Sequence, residues 1–218
     1  MKFYTLFFFS FLFLLVSCGN PEELGAGPEK DSLFDPVEGI ELVKLDDLEF
    51  FTSLGAPRSG LKKALLYLQE NNNEIDNQDY LTLVDFSKHS GEKRMFILDL
   101  VNREMEVLHV AHGKNTDPSH TGMAKYFSNV NNSLKSSLGV YLTAERYYGK
   151  NGLSMRLDGK EPSNSNARRR AIVVHGAKYV SPSNSKQGRS YGCPAVQRNK
   201  ISSLIERTEN GSILYAFK

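Results

Sequence analysis

From Tyr80 onward the chain alternates short apolar segments with polar loops rich in Asn, Ser and Gly. Tyr80–Phe86 (YLTLVDF), Arg94–Leu100 (RMFILDL) and Glu104–Val110 (EMEVLHV) are rich in Val, Ile, Leu and Phe, and the VNRE between the last two reads as a tight turn. Together they predict a β-meander. Ser137–Thr143 (SLGVYLT), Arg170–Gly176 (RAIVVHG) and Ser212–Lys218 (SILYAFK) add further strands. AIVV is apolar at four successive positions, the pattern of a strand covered on both faces. The loops Gly113–Ser136 and Asn151–Arg168 are long for a compact domain, a length that goes with function or with short internal helices. Helices are few. The stretch from Pro57 places Leu61, Ala64, Leu65 and Leu68 at helical spacing, with Ser59 as the expected cap and Asn71–Asn73 as the stop. Arg198–Thr208, carrying Ile201, Leu204 and Ile205, predicts a second, short helix. The expected fold is β-rich with a few short helices.

The N-terminus has a different character. Lys2 precedes an apolar run, Phe3–Val16, too short to span a bilayer, which needs about 20 residues. A basic start and a short apolar core read as an export signal over residues 1–17. Leu15 stands three positions before Cys18, as in a lipobox, so cleavage is expected before Cys18 with lipid on its thiol. Residues 18–32 are rich in Gly, Pro and Glu and read as a flexible tether. Residues 33–218, about 185 of them, suit a single domain with a good core. Gly19 is not an acidic retention residue, which points to an outer membrane with the protein facing the periplasm. Lys and Arg total 27 against 25 Asp and Glu, a balance that argues against nucleic acid as partner.

Only two cysteines are present. With Cys18 lipidated, Cys193 has no disulfide partner, and a lone thiol in an oxidising compartment is either a small buried apolar residue or a nucleophile. Its surroundings favour the nucleophile. His175 ends the strand AIVVH, and Cys193 follows eighteen residues later in GRSYGCPAV. Glycines at that density permit tight backbone turns that aim N–H groups at one point, as an oxyanion hole requires. A neighbouring imidazole can lower a thiol's pKa into the neutral range and protonate a leaving amine.

IVVHGAKYV and GRSYGCPAV resemble the active-site elements of the L,D-transpeptidase (YkuD-type) family, and more closely its murein L,D-transpeptidase-like branch. LVDFSKHSGEKRMFILDL, VAHGKNT, SSLGVYLTAERYYGKNGLSMRLDG and SNARRRAIVVHG extend the likeness over most of Leu81–Val196. The resemblance implies a mixed β-sandwich or barrel-like catalytic fold, Cys193 as acyl-accepting nucleophile, His175 as base and the Gly176 carbonyl as third member. It implies the backbone N–H groups of Tyr191, Gly192 and Cys193 as oxyanion donors. The implied substrate is a peptidoglycan stem peptide, with an amine of a neighbouring stem (transpeptidase) or water (L,D-carboxypeptidase) resolving the acyl-enzyme. No metal or organic cofactor is implied. Tyr191 and Ala195 stand where better-known members carry His, and Arg or Asn.

Arg189, Ser190 and His112 are the candidate substrate-side residues, with Ser190 leaning towards bonds within its own loop. His109 and His112, an odd offset apart, point to opposite faces if both lie on one strand, which argues against shared metal ligation. His89 and His120 read as solvated, and Arg168–Arg170 as a basic face within reach of stem carboxylates. Other cysteine enzymes fit less well. Papain-like and NlpC/P60-like peptidases place the cysteine before the histidine; sortases place Thr before the cysteine and Arg after it. A non-catalytic wall-binding lipoprotein is the alternative of a different class.

Overall fold

Strands that are apolar on both faces need cover on both, and the computed structural model shows what supplies it. Residues 41–218 are described, and they lie in one compact unit. The expected signal at 1–17, the lipidated Cys18, the tether at 18–32 and residues 33–40 lie outside the described residues. Eight strands form one sheet: β1 (Tyr80–Asp85), β2 (Met95–Asp99), β3 (Glu104–Leu108), β4 (Gly139–Gly149), β5 (Gly152–Gly159), β6 (Val173–Ala177), β7 (Ala195–Gln197) and β8 (Ile213–Phe217). Their order is β3-β2-β1-β8-β4-β5-β6-β7, with β1–β8 and β6–β7 parallel and the rest antiparallel. The edges nearly meet. Ala111 bridges Ala195 and Gly113 bridges Ser190, so the sheet curls into an almost closed barrel.

One face of each central strand fills the barrel: Val84, Met95, Ile97, Met155, Leu157, Val174 and Leu214, with Leu204 and Ile205 from α3 (Ile201–Thr208), form one buried cluster. The alternate residues, Leu81, Leu83, Phe96, Leu98, Ile213 and Tyr215, pack outward against α1 (Leu42–Ser53) and α2 (Arg58–Glu70). Burying a Leu or Phe side chain contributes roughly 1.5–3 kcal/mol, so this double cover explains why YLTLVDF and RMFILDL carry large apolar residues on both faces.

Several expectations need correction. Ser59 is not a cap: α2 starts at Arg58 behind Pro57 with no side-chain cap bond, and Arg58 instead reaches Glu49 of α1 at 2.8 and 2.6 Å. Asn151–Arg168 is not all loop, since β5 occupies its first half as the return arm of a hairpin whose turn is Lys150–Asn151. The helix α1 and the three-residue β7 were not expected. The early meander, the strands around Val140 and Val174, the C-terminal strand and α3 fall where the sequence places them.

Candidate active site

The site lies on the seam where the sheet closes. In β6, His175 pairs in parallel register with Ala195 of β7, which sets Cys193, two residues earlier, beside Val173. His175 and Cys193 line one cleft of about 250 Å³ with Asn151, Tyr179, Arg189, Ser190 and Tyr191. His175 is buried, and its Nδ1 lies 3.2 Å from the Gly176 carbonyl. That carbonyl can only accept, so Nδ1 carries the proton and Nε2 is the free basic atom. Burial holds His175 below its ordinary pKa, against the opposing pull of the Gly176 carbonyl, so it is neutral at neutral pH.

The thiol differs from expectation. Desolvation pushes Cys193 above its ordinary value; the Val173 N–H and the Arg170 charge pull the other way and do not prevail. Its proton is directed at the Ala171 carbonyl, 3.6 Å away. The resting pair is therefore neutral thiol and neutral imidazole rather than a thiolate already held by an imidazolium. Ala171 itself sits at φ 52°, a left-handed conformation that costs an alanine roughly 1–2 kcal/mol. That strain is held where the carbonyl meets the sulfur.

The donor loop is tightly specified. Gly192 adopts φ +128°, and a Cβ there would lie 2.8 Å from the Lys135 carbonyl, so only glycine fits. Ser190, buried, donates through Oγ to the Cys193 carbonyl (2.6 Å) and accepts from the Gly192 N–H (3.1 Å). One expectation changes as a result: the Gly192 N–H, expected as an oxyanion donor, is engaged by Ser190. The Ser190 hydroxyl bonds within its own loop, the side towards which the sequence leaned. Ser136 Oγ donates to the Gly192 carbonyl at 3.0 Å and accepts the Gly113 N–H at 3.0 Å, tying the loop to the opposite edge of the seam.

Of the other candidates, Arg189 reaches the cleft while Nη1 donates to the carbonyls of Asp117 (2.6 Å) and Pro118 (3.0 Å), stapling the donor loop to the Gly113–Ser136 loop. His112 does not reach the cleft. It is 1 % exposed, and its ring faces Arg94 and Asp117 in the interior; its backbone carbonyl accepts the Ser190 N–H at 2.9 Å. His109 is also buried, with Nε2 on the Gly91 carbonyl at 3.0 Å. His89 and His120 are not simply solvated: they reach the carbonyls of Thr121 (3.1 Å) and Gln187 (2.9 Å) and lace the loops together.

Sequence reasoning missed three residues. Arg170 is half-buried, not part of a solvated face. Its guanidinium donates to Ser128 O, Ser133 Oγ, Lys135 O and Ser137 Oγ, which fixes a cation within electrostatic reach of the sulfur. Arg168, by contrast, pairs at the surface with Asp158 and Glu145. Tyr179 lies against Gly188, where a Cβ would come within 2.6 Å of the tyrosine Cβ, and burial together with the nearby sulfur raises its phenol to about 12. It therefore stays a hydrogen-bond donor. Asn151 arrives from the hairpin turn.

Solved structures with similar coordinates include L,D-transpeptidase 3 from Mycobacterium tuberculosis (10% identity, TM-score 0.42, 64% of this chain and 61% of that one). An L,D-transpeptidase from Mycobacterium smegmatis aligns at 10% identity and TM-score 0.40 over 64% of this chain and 59% of that one. The L,D-transpeptidase from Xylanimonas cellulosilytica aligns at 12% identity and TM-score 0.38 over 65% and 62%. The match thus spans about three-fifths of each of those chains. No curated protein matches this chain. The L,D-transpeptidase catalytic domain family model matches residues 55–217, which takes in every strand, α2, α3 and the whole cleft, and the chain belongs to that family.

Proposed function

We propose that this chain is a peptidoglycan L,D-transpeptidase working through an acyl-enzyme on Cys193. The observation that supports it most is the geometry of His175: its Nδ1–H is held by the Gly176 carbonyl, so its basic Nε2 serves the cleft that also holds the thiol. In the first half-reaction Nε2 takes the thiol proton as sulfur attacks the carbonyl of the penultimate stem residue. The oxyanion is received by the Tyr191 and Cys193 N–H groups. The intermediate collapses by breaking the C–N bond, and the imidazolium gives its proton to the departing amine of the terminal D-alanine. In the second half-reaction an amine of another stem adds to the thioester and gives its proton to His175. The C–S bond then breaks, and sulfur recovers the proton. Because both groups rest neutral, the proton moves only as the nucleophile attacks, and the thiol is less exposed to oxidation between turnovers.

Digestion of a disaccharide-tetrapeptide by the full-length chain, followed by mass spectrometry, tests the reading. Loss of one D-alanine with formation of a cross-linked dimer is the expected result. Loss of D-alanine with water alone as acceptor makes the chain an L,D-carboxypeptidase, and an unchanged substrate overturns the acyl-enzyme.

We further propose, from the N-terminal sequence, a signal over residues 1–17, a lipid on Cys18, a tether to residue 32, and the outer membrane as the anchoring surface, with the domain facing the periplasm. Such a chain is anchored to a membrane rather than spanning it. Cells fed labelled palmitate are expected to label the chain, and Cys18→Ala to lose that label; label retained in the variant overturns the anchor.

A further inference from the structure

A second recess, of about 350 Å³, shares Asn151 with the catalytic cleft. Its walls are Lys150, Leu153, Gly176, Arg198 and Ile201, and no Asp or Glu lines it. The neighbouring cations are neutralised: Arg146 pairs with Glu209, Arg156 with Glu145, Arg168 with Asp158 and Lys200 with Glu106. Lys150 and Arg198, both exposed, have no ion-pair partner among the described residues. Two unpaired cations in one concave, acid-free recess favour an anion, and a guanidinium beside an ammonium suits carboxylate.

The position of the recess says which substrate. The cleft with Cys193, Tyr191 and Arg189 is where the scissile carbonyl must lie, because the sulfur and the oxyanion donors are there. The recess instead adjoins the base. Its wall residue Gly176 follows His175 in β6, supplies the carbonyl that orients the imidazole, and lies so close to Arg198 that a Cβ would meet the arginine Cα at 3.1 Å. A molecule held there is next to the group that must deprotonate an incoming amine, and Asn151 alone is shared between the two spaces.

We propose that Lys150 and Arg198 form the acceptor subsite, binding a carboxylate of the second stem peptide while its amine approaches the thioester. The proposal rests on Cys193 acylation and deepens it: it makes the choice between peptide amine and water a matter of charge at one recess. Water gains nothing from Lys150 and Arg198; an anionic peptide gains residence time beside His175.

The test measures the two half-reactions separately on the full-length chain. The first is the rate of a carbapenem adduct on Cys193. The second is the ratio of dimer to hydrolysed product from a tetrapeptide donor, with either the native acceptor stem or the same stem with its carboxylates amidated. In Lys150→Gln/Arg198→Gln the adduct rate is expected to stay within about twofold of the unaltered chain, as befits two exposed side chains that do not line the cleft holding the sulfur. The dimer-to-hydrolysis ratio is expected to fall about tenfold, the worth of a charge-assisted contact at a partly exposed site. Lys150→Glu/Arg198→Glu is expected to lower it further. Amidation of the acceptor should reproduce the loss in the unaltered chain, change nothing in Lys150→Gln/Arg198→Gln, and relieve the additional loss in Lys150→Glu/Arg198→Glu, where it removes the repelled charge. A normal adduct rate with an unchanged ratio overturns the subsite alone, as does an unaltered chain indifferent to amidation. A parallel fall in adduct rate and ratio also overturns it, because the two residues then act on acylation. No adduct in the unaltered chain overturns the acyl-enzyme and the subsite with it.

Discussion

Replacing Cys193 by alanine is expected to abolish both the carbapenem adduct and the release of D-alanine, and His175→Asn to slow both by about 10²–10⁴-fold, the usual contribution of a positioned general base. The pH dependence separates this from a merely structural effect. Imidazole accepts a proton only when neutral, and burial lowers the His175 pKa, so the acid limb of the unaltered chain should lie below the ordinary histidine value of about 6.5. Desolvation raises the Cys193 pKa, so direct alkylation by iodoacetamide should accelerate only above the free-thiol value of about 8.5. In His175→Asn the acid limb of adduct formation should vanish and only the alkaline rise should remain. An acid limb that persists without the imidazole would remove His175 from the role of base. A thiol midpoint below 8.5 would restore the thiolate–imidazolium pair anticipated from sequence and contradict the neutral resting pair.

What sequence could and could not show divides along the range of the interactions. GRSYGC announced a glycine-dependent turn, and Gly192 with φ +128° against the Lys135 carbonyl is the reason. The apolar run in β6 announced a strand with two covered faces, as its burial shows; β1 and β2 were legible as strands of a meander, and their equally complete cover was not. In β5 a signal was present and overlooked: Leu153, Met155 and Leu157 alternate with Ser154, Arg156 and Asp158, but the flanking Asn and Gly suggested a loop. No local signal marks β7, whose three residues are a strand only because β6 lies beside them. The commitment of the Gly192 N–H to Ser190 follows from loop geometry that composition does not encode. Arg170 looked like part of a basic surface run because its acceptors, Ser128 to Ser137, are more than thirty residues away and meet it only once the barrel closes. The same applies to His112, read as a substrate-side group from its place at a strand end and found turned inward.

Arg94 is the point where that long-range network is most exposed to mutation, and Arg94→Met is expected to cost about 3–5 kcal/mol. The side chain is 0 % exposed. Nε and Nη2 donate to the Val110 carbonyl at 3.1 and 2.9 Å, Nη1 to the Lys88 carbonyl at 2.8 Å, and Nη2 lies 2.8 Å from His112 Nδ1. Burial pulls the guanidinium down to about 10, still charged at neutral pH, with Asp85, Glu92 and Asp117 favouring the charge. Because a guanidinium can only donate, His112 must accept at Nδ1 and carry its proton on Nε2, 3.6 Å from Asp117 Oδ2. Burial and the Arg94 charge push His112 down to about 4, so it is neutral throughout the working range. Replacing a buried ion pair by apolar groups can be neutral when both partners are replaced. Here the partners are backbone carbonyls and a retained imidazole, so methionine leaves the buried Val110 carbonyl and His112 Nδ1, and the part-buried Lys88 carbonyl, without their donor, and the penalty prevails over any gain from removing the charge. For a domain of this size about 3–5 kcal/mol corresponds to a fall in Tm of roughly 6–20 °C. Arg94→Lys, which keeps the charge but offers a single donor centre, should fall between. The catalytic effect is separable: well below the variant's Tm the adduct on Cys193 should still form slowly, because His112 holds the Ser190 N–H and thereby the donor loop. A Tm within about 2 °C of the unaltered chain, read by calorimetry, would show that the interior solvates Val110, Lys88 and His112 without the arginine and would remove the frame proposed for the loop.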